Sequence, residues 1–533
     1  MMRQENLPGP FHMFTGQDLP HLLEARANDR ADHPFLIFAP PDLPAQKWTY
    51  RAFRDAVACL AGGLAERGVA RGDFVVIHMD NCIEFLLAWH ACSRLGAVAV
   101  TTNTRSSEEE LAYYIGHCGA RFAITQPAMA ALVRAAGPQL QWVCVTELDC
   151  GSAPEVPRTA DALAFEDLAA GNPDLAPLRD PEPLLPNSVQ YTSGTTSRPK
   201  GVVWTHANAL WGARIGALCS QVVPEDVGHT CLPLYHTNAL SYSHLATLWV
   251  GSTLVFQQRF SASRYWPVVT EHGCTWGVQI PFMLKALMGL PVPEHRIQRW
   301  GLGAINPPQV LQKFGIPVLG WFGMTETVSL TLISNRNMPG RIGSMGRVTP
   351  GYETEVRRED GSQVAIGEAG IMWIKGVRGI SLFHEYLNNP EATAEAFDER
   401  GWFKTGDRVT PHADGTVVFE GRDRDMLRVG AENVAESEIE RVILASGAAI
   451  EVAVVGKPHP MLDEVPVAFV IPHPDCADPA GQALAACRTR LASFKVPDEV
   501  ILIEEFPRVT LGKIDKKELR RQLKERAAAE KAG

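Results

Sequence analysis

From about residue 50 the apolar positions alternate between two periods. TYRAFRDAVACLAGGLAERG (49–68) has helical spacing and leads into the short apolar run FVVIH (74–78). Then follow a second helical stretch, CIEFLLAWHACSRLG (82–96), the run AVAVTT, a third helical stretch, SSEEELAYYIGHCG (106–119), and the run RFAIT. Ser106 and Ser107, each with a glutamate three residues on (Glu109, Glu110), predict a capping box at the start of the third helix. Continuous β-branched runs between amphipathic helices predict parallel sheet covered on both faces. A loop rich in Pro and Asp (171–187) interrupts the alternation, which resumes with STLVFQ, TWGVQI and PVLGWFG. Two α/β units of similar size are expected, without an internal sequence repeat.

From about 340 the pattern changes to strands alternating around Asp360-Gly361 and Asp414-Gly415, both hairpin turn signals. After GRDRD (421–425) the pattern changes again, to the helix ESEIERVILAS, the strands EVAVVG and PVAFVIP, and a helix near 480–492. This reads as a compact α+β unit of ordinary domain size, with the charged GRDRDMLRVG (421–430) as linker. The expected fold class is α/β. A large N-terminal domain (1–421) has two α/β subdomains and a β-rich subdomain, and a small mobile α+β C-terminal domain (422–533) follows.

Composition narrows the function. The chain has 533 residues, 46% hydrophobic and 21% charged, with a net charge of −10 and a sequence pI near 5.9. An acidic balance argues against nucleic acid as a main partner. The basic tail KKELRRQLKERAAAEK reads as a solvated last helix rather than a membrane or RNA patch, with Leu519 and Leu523 four apart. Eleven scattered cysteines without a C-x-x-C pair fit reduced thiols rather than a disulfide framework. The N-terminus lacks the pattern of a signal peptide, and no apolar run is long enough to span a bilayer. A cytoplasmic protein without membrane insertion is expected, and a homodimer is one assembly compatible with it.

The stretch YTSGTTSRPKG (191–201) follows a strand-like NSVQ and is too polar for a core. A Ser/Thr/Gly loop can turn backbone N–H groups toward an anion while a lysine adds charge, which suits phosphate, although taken alone such a loop is more often a plain turn. It is not a Walker A loop, because Pro199 precedes Lys200. GLGAIN (301–306) has Asn306 where a dinucleotide fingerprint needs its third glycine. No nucleophile elbow and no metal-ligand histidine spacing occurs.

Six stretches in one order change the picture: YTSGTTSRPKG, GWFGMTET (320–327), GWFKTGD (401–407), GRDRD, GAENVAESEIE (430–440) and PRVTLGKIDKKELR (507–520). Together they resemble the adenylate-forming superfamily of acyl-CoA synthetases, adenylation domains and firefly luciferase, over nearly the whole chain. The resemblance is to the acyl-CoA synthetase branch, and FSASRYWP (260–267) is similar to crotonobetaine/carnitine-CoA ligases. It implies that Thr192, Ser193, Gly194, Thr195, Thr196 and Lys200 hold the ATP phosphates, with Ser197 where the family has Gly. It further implies that Phe322 flanks adenine, Thr325 meets the α-phosphate, Glu326 helps hold Mg²⁺, and Asp407 and Arg422 bind the ribose. Lys513 matches the lysine that bridges carboxylate and phosphate in the first half-reaction. Arg424 stands at the hinge, and Gly430 and Ala431, the latter replacing a glycine, line a CoA tunnel. His236, Ala304, Trp321 and Gly323 fall at the acyl pocket. Gly323 stands where acetate-specific relatives carry tryptophan, which implies room for a longer acid. The implied activity is acid plus ATP to acyl-AMP and pyrophosphate, then CoA to acyl-CoA and AMP. Loading of a carrier protein and a luciferase-like oxygenase are the alternatives within the superfamily.

Overall fold

Helix Ile83–Leu95 is buried along most of its circumference, including Phe85, Leu86, Trp89 and Cys92. A helix apolar all round lies between layers rather than on a surface, and here the layers are two sheets. Asn81, just before it, donates its amide to the carbonyls of Leu232 at 2.8 Å and Gln257 at 3.0 Å, beside strands of the second sheet. The structure is a computed structural model that describes residues 8–532 except 10, 160–161, 193–197, 304–307, 336, 423–425, 431 and 509–513; for Arg422 and residues 527–532 it describes the backbone alone.

The first sheet has eight strands. Pro186–Thr192, Val98–Thr101, Phe74–His78, Phe122–Thr125, Trp142–Val145 and Leu163–Ala164 run parallel. Lys200–Thr205 folds back antiparallel on Pro186–Thr192. Val98–Thr101 and Phe122–Thr125 are buried at every position, as runs without alternation predict. The predicted capping box forms at Ser107 and Glu110: Glu110 N donates to Ser107 Oγ at 3.2 Å, and Ser107 N donates to Glu110 Oε2 at 2.8 Å.

The second sheet has thirteen strands. Six are parallel: Pro34–Phe38, Thr253–Phe256, Val227–Thr230, Trp276–Val278, Arg299–Leu302 and Val318–Gly323. Past Trp321 the pairing turns antiparallel, first to Leu330–Ile333 and then through the strands between Ser344 and Arg422. The β-rich stretch is thus a hydrogen-bonded continuation of the second α/β sheet. Alternation along the chain gives each strand's faces but not which sheet edge it extends.

One hydrophobic core runs from Phe14 to Val417 and takes in both sheets. A separate core begins at Leu427, so a large N-terminal domain is followed by a separate C-terminal one. The small domain is built on the hairpin of Ala449–His459 and Asp463–Pro472. Helices Glu436–Ala445 and Pro479–Arg490 pack into one core on it and Lys516–Ala532 into another. That last helix is not simply solvated: Leu519 and Leu523 are buried in the sheet's second core. The expected linker 421–430 is mostly strand, with Val417–Arg422 in the large sheet and Met426–Val429 in the small one. Among the described residues no helix is long and apolar enough to cross a membrane, and all eleven cysteines are free.

Candidate active site

The polar stretch of 191–201 joins two antiparallel strands, with Thr192 directly opposite Lys200. Ser193, Gly194, Thr195 and Thr196 lie outside the described residues, as do Ala304, Arg424, Ala431 and Lys513. Lys200 holds its ammonium 4.6 Å from the centre of the Tyr386 ring. The Tyr386 hydroxyl donates to Glu326 Oε1 at 3.0 Å, so cation, phenol and buried carboxylate follow in sequence. Burial, with the Glu326 charge beside it, keeps the Tyr386 phenol protonated.

Glu326 sits on a short turn, Thr325–Thr327, just past strand Val318–Gly323. Trp204 donates its indole N–H to the Thr325 carbonyl at 2.8 Å. The Thr237 hydroxyl lies 2.9 Å from Gln190 Oε1 and 3.2 Å from Thr325 Oγ1. The turn ends on Val328 with φ 63° and ψ −42°, where Ser329 N donates to the Thr327 carbonyl at 2.5 Å. A γ-turn of this hand is strained for a β-branched residue, and such strain persists only where the surroundings fix it.

Asp407 is fully buried and faces Arg422 across the ladder of Trp402–Pro411 and Val417–Arg422. Thr192, Lys200, His236, Trp321, Phe322, Gly323, Thr325, Glu326 and Asp407 line one cleft of about 2160 Å³. Residues from both sheets of the large domain therefore converge, although more than two hundred positions separate the first from the last.

Beside Trp321 and Gly323 in the cleft, Asn238–Leu245 is a π-helical run, a rare form frequent at functional sites. It carries Tyr242, whose hydroxyl occupies the space over Gly323: a Cβ there would come within 2.2 Å of it. The place of a side chain at position 323 is thus taken by Tyr242, an outcome of tertiary packing that the motif does not encode. Trp321 lies against the bare backbone of Gly301, where a Cβ would stand 1.8 Å from its ring, and meets Tyr242 edge-on with centroids 5.8 Å apart. Ile280, Leu284, Met288 and Val310 supply further apolar lining.

The small domain reaches the same cleft. His236 Nε2 lies 3.2 Å from Glu432 Oε2, beside Gly430 in sequence. Burial works against the charged imidazole, but Glu432 outweighs it by charge and hydrogen bond and holds His236 above its ordinary range. Burial opposes the charged form of Glu432 too, and His236, with Arg105 and Asn103, holds that carboxyl below its ordinary range. Lys285 pairs with Asp463 at 2.9 Å across the same gap. Gly430 has φ 65°, which favours glycine there on backbone grounds alone.

Tyr386, Thr237, Trp204 and Tyr242 escape the sequence reading because no local pattern marks a residue that meets the site only after folding. Glu432 stands inside the GAENV motif, where the charge itself is the signal that could have found it.

A family model described as AMP-binding enzyme matches residues 23–387, and one described as AMP-binding enzyme C-terminal domain matches residues 438–513. The crotonobetaine/carnitine–CoA ligase of Proteus mirabilis (strain HI4320) is 31% identical over 503 residues, covering 91% of this chain and 95% of that protein. The enzyme of the same name from Escherichia coli O7:K1 (strain IAI39 / ExPEC) is 30% identical over 526 residues, covering 95% and 100%. Among solved structures, a double mutant of o-succinylbenzoate CoA synthetase from Bacillus subtilis, bound with a product analogue, matches with a TM-score of 0.81 at 27% identity, covering 95% of this chain and 98% of that one. The synthetase from the same organism in complex with AMP scores 0.66, also at 27% identity, with the same coverage of both chains. With motifs, folded cleft and family models in agreement over both domains, the chain belongs to the AMP-binding enzyme family.

Proposed function

We propose that this protein is an ATP-dependent acid–CoA ligase working in two steps. A carboxylate oxygen attacks the α-phosphorus of ATP, forming an acyl-adenylate and releasing pyrophosphate. The thiolate of CoA then attacks the acyl carbonyl, forming the thioester and releasing AMP. The observation that carries this reading is the single cleft shared by Thr192, Lys200, Phe322, Thr325, Glu326 and Asp407, with Glu432 of the small domain paired to His236 in its lining.

In this reading Thr192, Ser193, Gly194, Thr195, Thr196 and Lys200 hold the departing phosphates, Thr325 meets the α-phosphate, and Phe322 flanks the adenine. Asp407, with Arg422 opposite, takes the ribose hydroxyls, since one carboxylate has two acceptor oxygens. Among the described residues no three metal-ligating side chains converge. Glu326 is a buried carboxylate on the cleft wall, which fits Mg²⁺, an ion that takes one or two carboxylates and completes its shell with phosphate oxygens and water. When bound, Mg²⁺ would neutralise phosphate charge. The chain's own task is to hold the attacking oxygen in line and exclude water, the positioning and electrostatics on which such chemistry depends.

The reading places Lys513 against the reacting oxygens in the first step. The small domain, 422–533, then turns about Arg424 and brings Gly430 and Ala431 to the CoA tunnel. The arrangement described, with Glu432 at His236, supports the second of these states, as does the better match to the product-analogue complex than to the AMP complex.

AMP release should be measured over short, medium, branched, aromatic and betaine-type acids, with and without CoA; crotonobetaine and carnitine belong on the panel because relatives carry them in their names. AMP formed only with CoA and one acid, with the matching acyl-CoA, is expected. Pyrophosphate exchange without CoA-dependent turnover would overturn CoA as acceptor and point to a carrier protein. Lys513→Ala should abolish adenylation and leave thioester formation from supplied acyl-AMP intact; equal loss of both would refute the two-state account.

A further inference from the structure

The first turn of helix Glu108–Cys118, in the large domain, forms a socket for the small one. Ser107 Oγ donates to the Arg490 carbonyl at 2.7 Å. The Arg105 guanidinium lies 4.6 Å from the centre of the Phe494 ring. Arg490 grips both oxygens of Glu109, at 2.6 and 2.8 Å. These contacts are exposed or partly so, and exposed ion pairs contribute little. The fourth contact is different. Lys495 donates to Glu110 Oε1 and, at 3.0 Å, to Glu438 Oε1, and all three side chains are buried, at 6%, 7% and 5% exposure.

The two carboxylates belong to different domains. Glu438 lies on Glu436–Ala445, in the domain that carries Lys495, so this half of the cluster travels with the small domain. Glu110 stays with the large domain, where its other oxygen caps its own helix through Ser107 N. One carboxylate therefore fixes a helix start with one oxygen and receives the small domain with the other. Burial alone would push the Lys495 ammonium toward neutrality, yet Glu438 and Glu110 outweigh it and keep the charge firmly in place. A buried cluster of this kind is weak evidence for overall stability, but without Lys495 the Glu110 and Glu438 carboxylates would be left buried and uncompensated. Its strength is thus specific to the arrangement that joins it.

We propose that Glu110 and Lys495 are positioning residues for thioester formation: a buried ion pair across the domain seam that holds the small domain with Glu432 at His236. This rests on the two-step reading above, in which the seam forms for the second step and parts for the first. Neither residue lines the main cleft, so both act through domain orientation rather than on the substrate.

The test is a comparison of half-reactions in the full chain, using an acid that the parent adenylates. Pyrophosphate exchange reports the first step; single-turnover conversion of supplied acyl-AMP and CoA reports the second. Glu110→Gln is the informative variant, because glutamine at that position still closes a capping box and removes only the charge. It should slow thioester formation about tenfold or more, from loss of the charge-assisted bond across the seam, while Glu438 still neutralises Lys495, and leave pyrophosphate exchange unchanged or faster. Glu110→Gln combined with Lys495→Gln should be no slower than Lys495→Gln alone, since the pair is already broken. Glu109→Gln, at the exposed pair beside it, should change the second step less than about twofold. Equal slowing of both steps in Glu110→Gln, or no slowing of the second, would overturn the proposal. Failure of the parent to convert acyl-AMP and CoA would instead overturn the ligase reading on which it stands.

Discussion

Replacing Trp321 with Ala should lengthen the acids that the cleft accepts. The indole is 5% exposed and fills the space between Tyr242 and the bare backbone of Gly301. A substrate methylene that enters the vacated space exchanges water for an apolar wall, worth ~0.8 kcal/mol. At 1.36 kcal/mol per tenfold, that is about fourfold in kcat/KM per methylene, and roughly fifteenfold for two. Loss of a buried tryptophan costs about 3–5 kcal/mol of stability where the void closes off; here the void opens into the cleft, so the loss should fall at or below that range. The assay is AMP release over a series of unbranched acids, with the thermal midpoint followed alongside. An internal check comes from Gly301→Ala, whose Cβ would stand 1.8 Å from the indole. It should damage the parent and be tolerated in the Trp321→Ala background, a coupling that a double-mutant cycle measures. An unchanged length profile, or additive effects of the two substitutions, would refute the packing argument.

The His236–Glu432 pair is intact between the lowered value of the carboxyl and the raised value of the imidazole. As pH rises through the latter the proton leaves and the pair weakens, so thioester formation should fall on an alkaline limb centred above histidine's ordinary value of ~6.5. Glu432→Gln should move that midpoint down; a midpoint that does not move would exclude the pair as its source. Stability should show the opposite dependence. Burial lowers His78 and His229 to about 4 and His206 and His244 to about 3. The unfolded chain takes up these protons first, so stability is full above ~6.5 and falls as pH drops toward the folded values, by up to ~1.4 kcal/mol per pH unit for each histidine. Urea unfolding at neutral and mildly acidic pH reads the slope, and a flat profile would contradict the buried neutral imidazoles.

The sequence by itself determined the elements and the chemistry that lies in contiguous motifs. Apolar runs without alternation around 74–78 and 98–101 read as strands covered on both faces, and the Ser–Glu spacing over 106–110 narrowed a helix start to two neighbouring residues, of which the fold uses Ser107. The ordered motifs, ending in GKIDKK, identified the family because each is a contiguous stretch whose meaning survives without the fold. Tertiary structure decided what depends on distance through space. It joined the β-rich stretch to the second sheet, where the sequence pattern suggested a separate unit. It set Tyr242 over Gly323, where a Cβ would otherwise stand. It brought Tyr386 to Glu326 and Glu110 to Lys495, pairs 60 and 385 positions apart. Local periodicity records which face of an element is apolar, whereas partner choice follows from how buried faces and charges are matched once the elements pack.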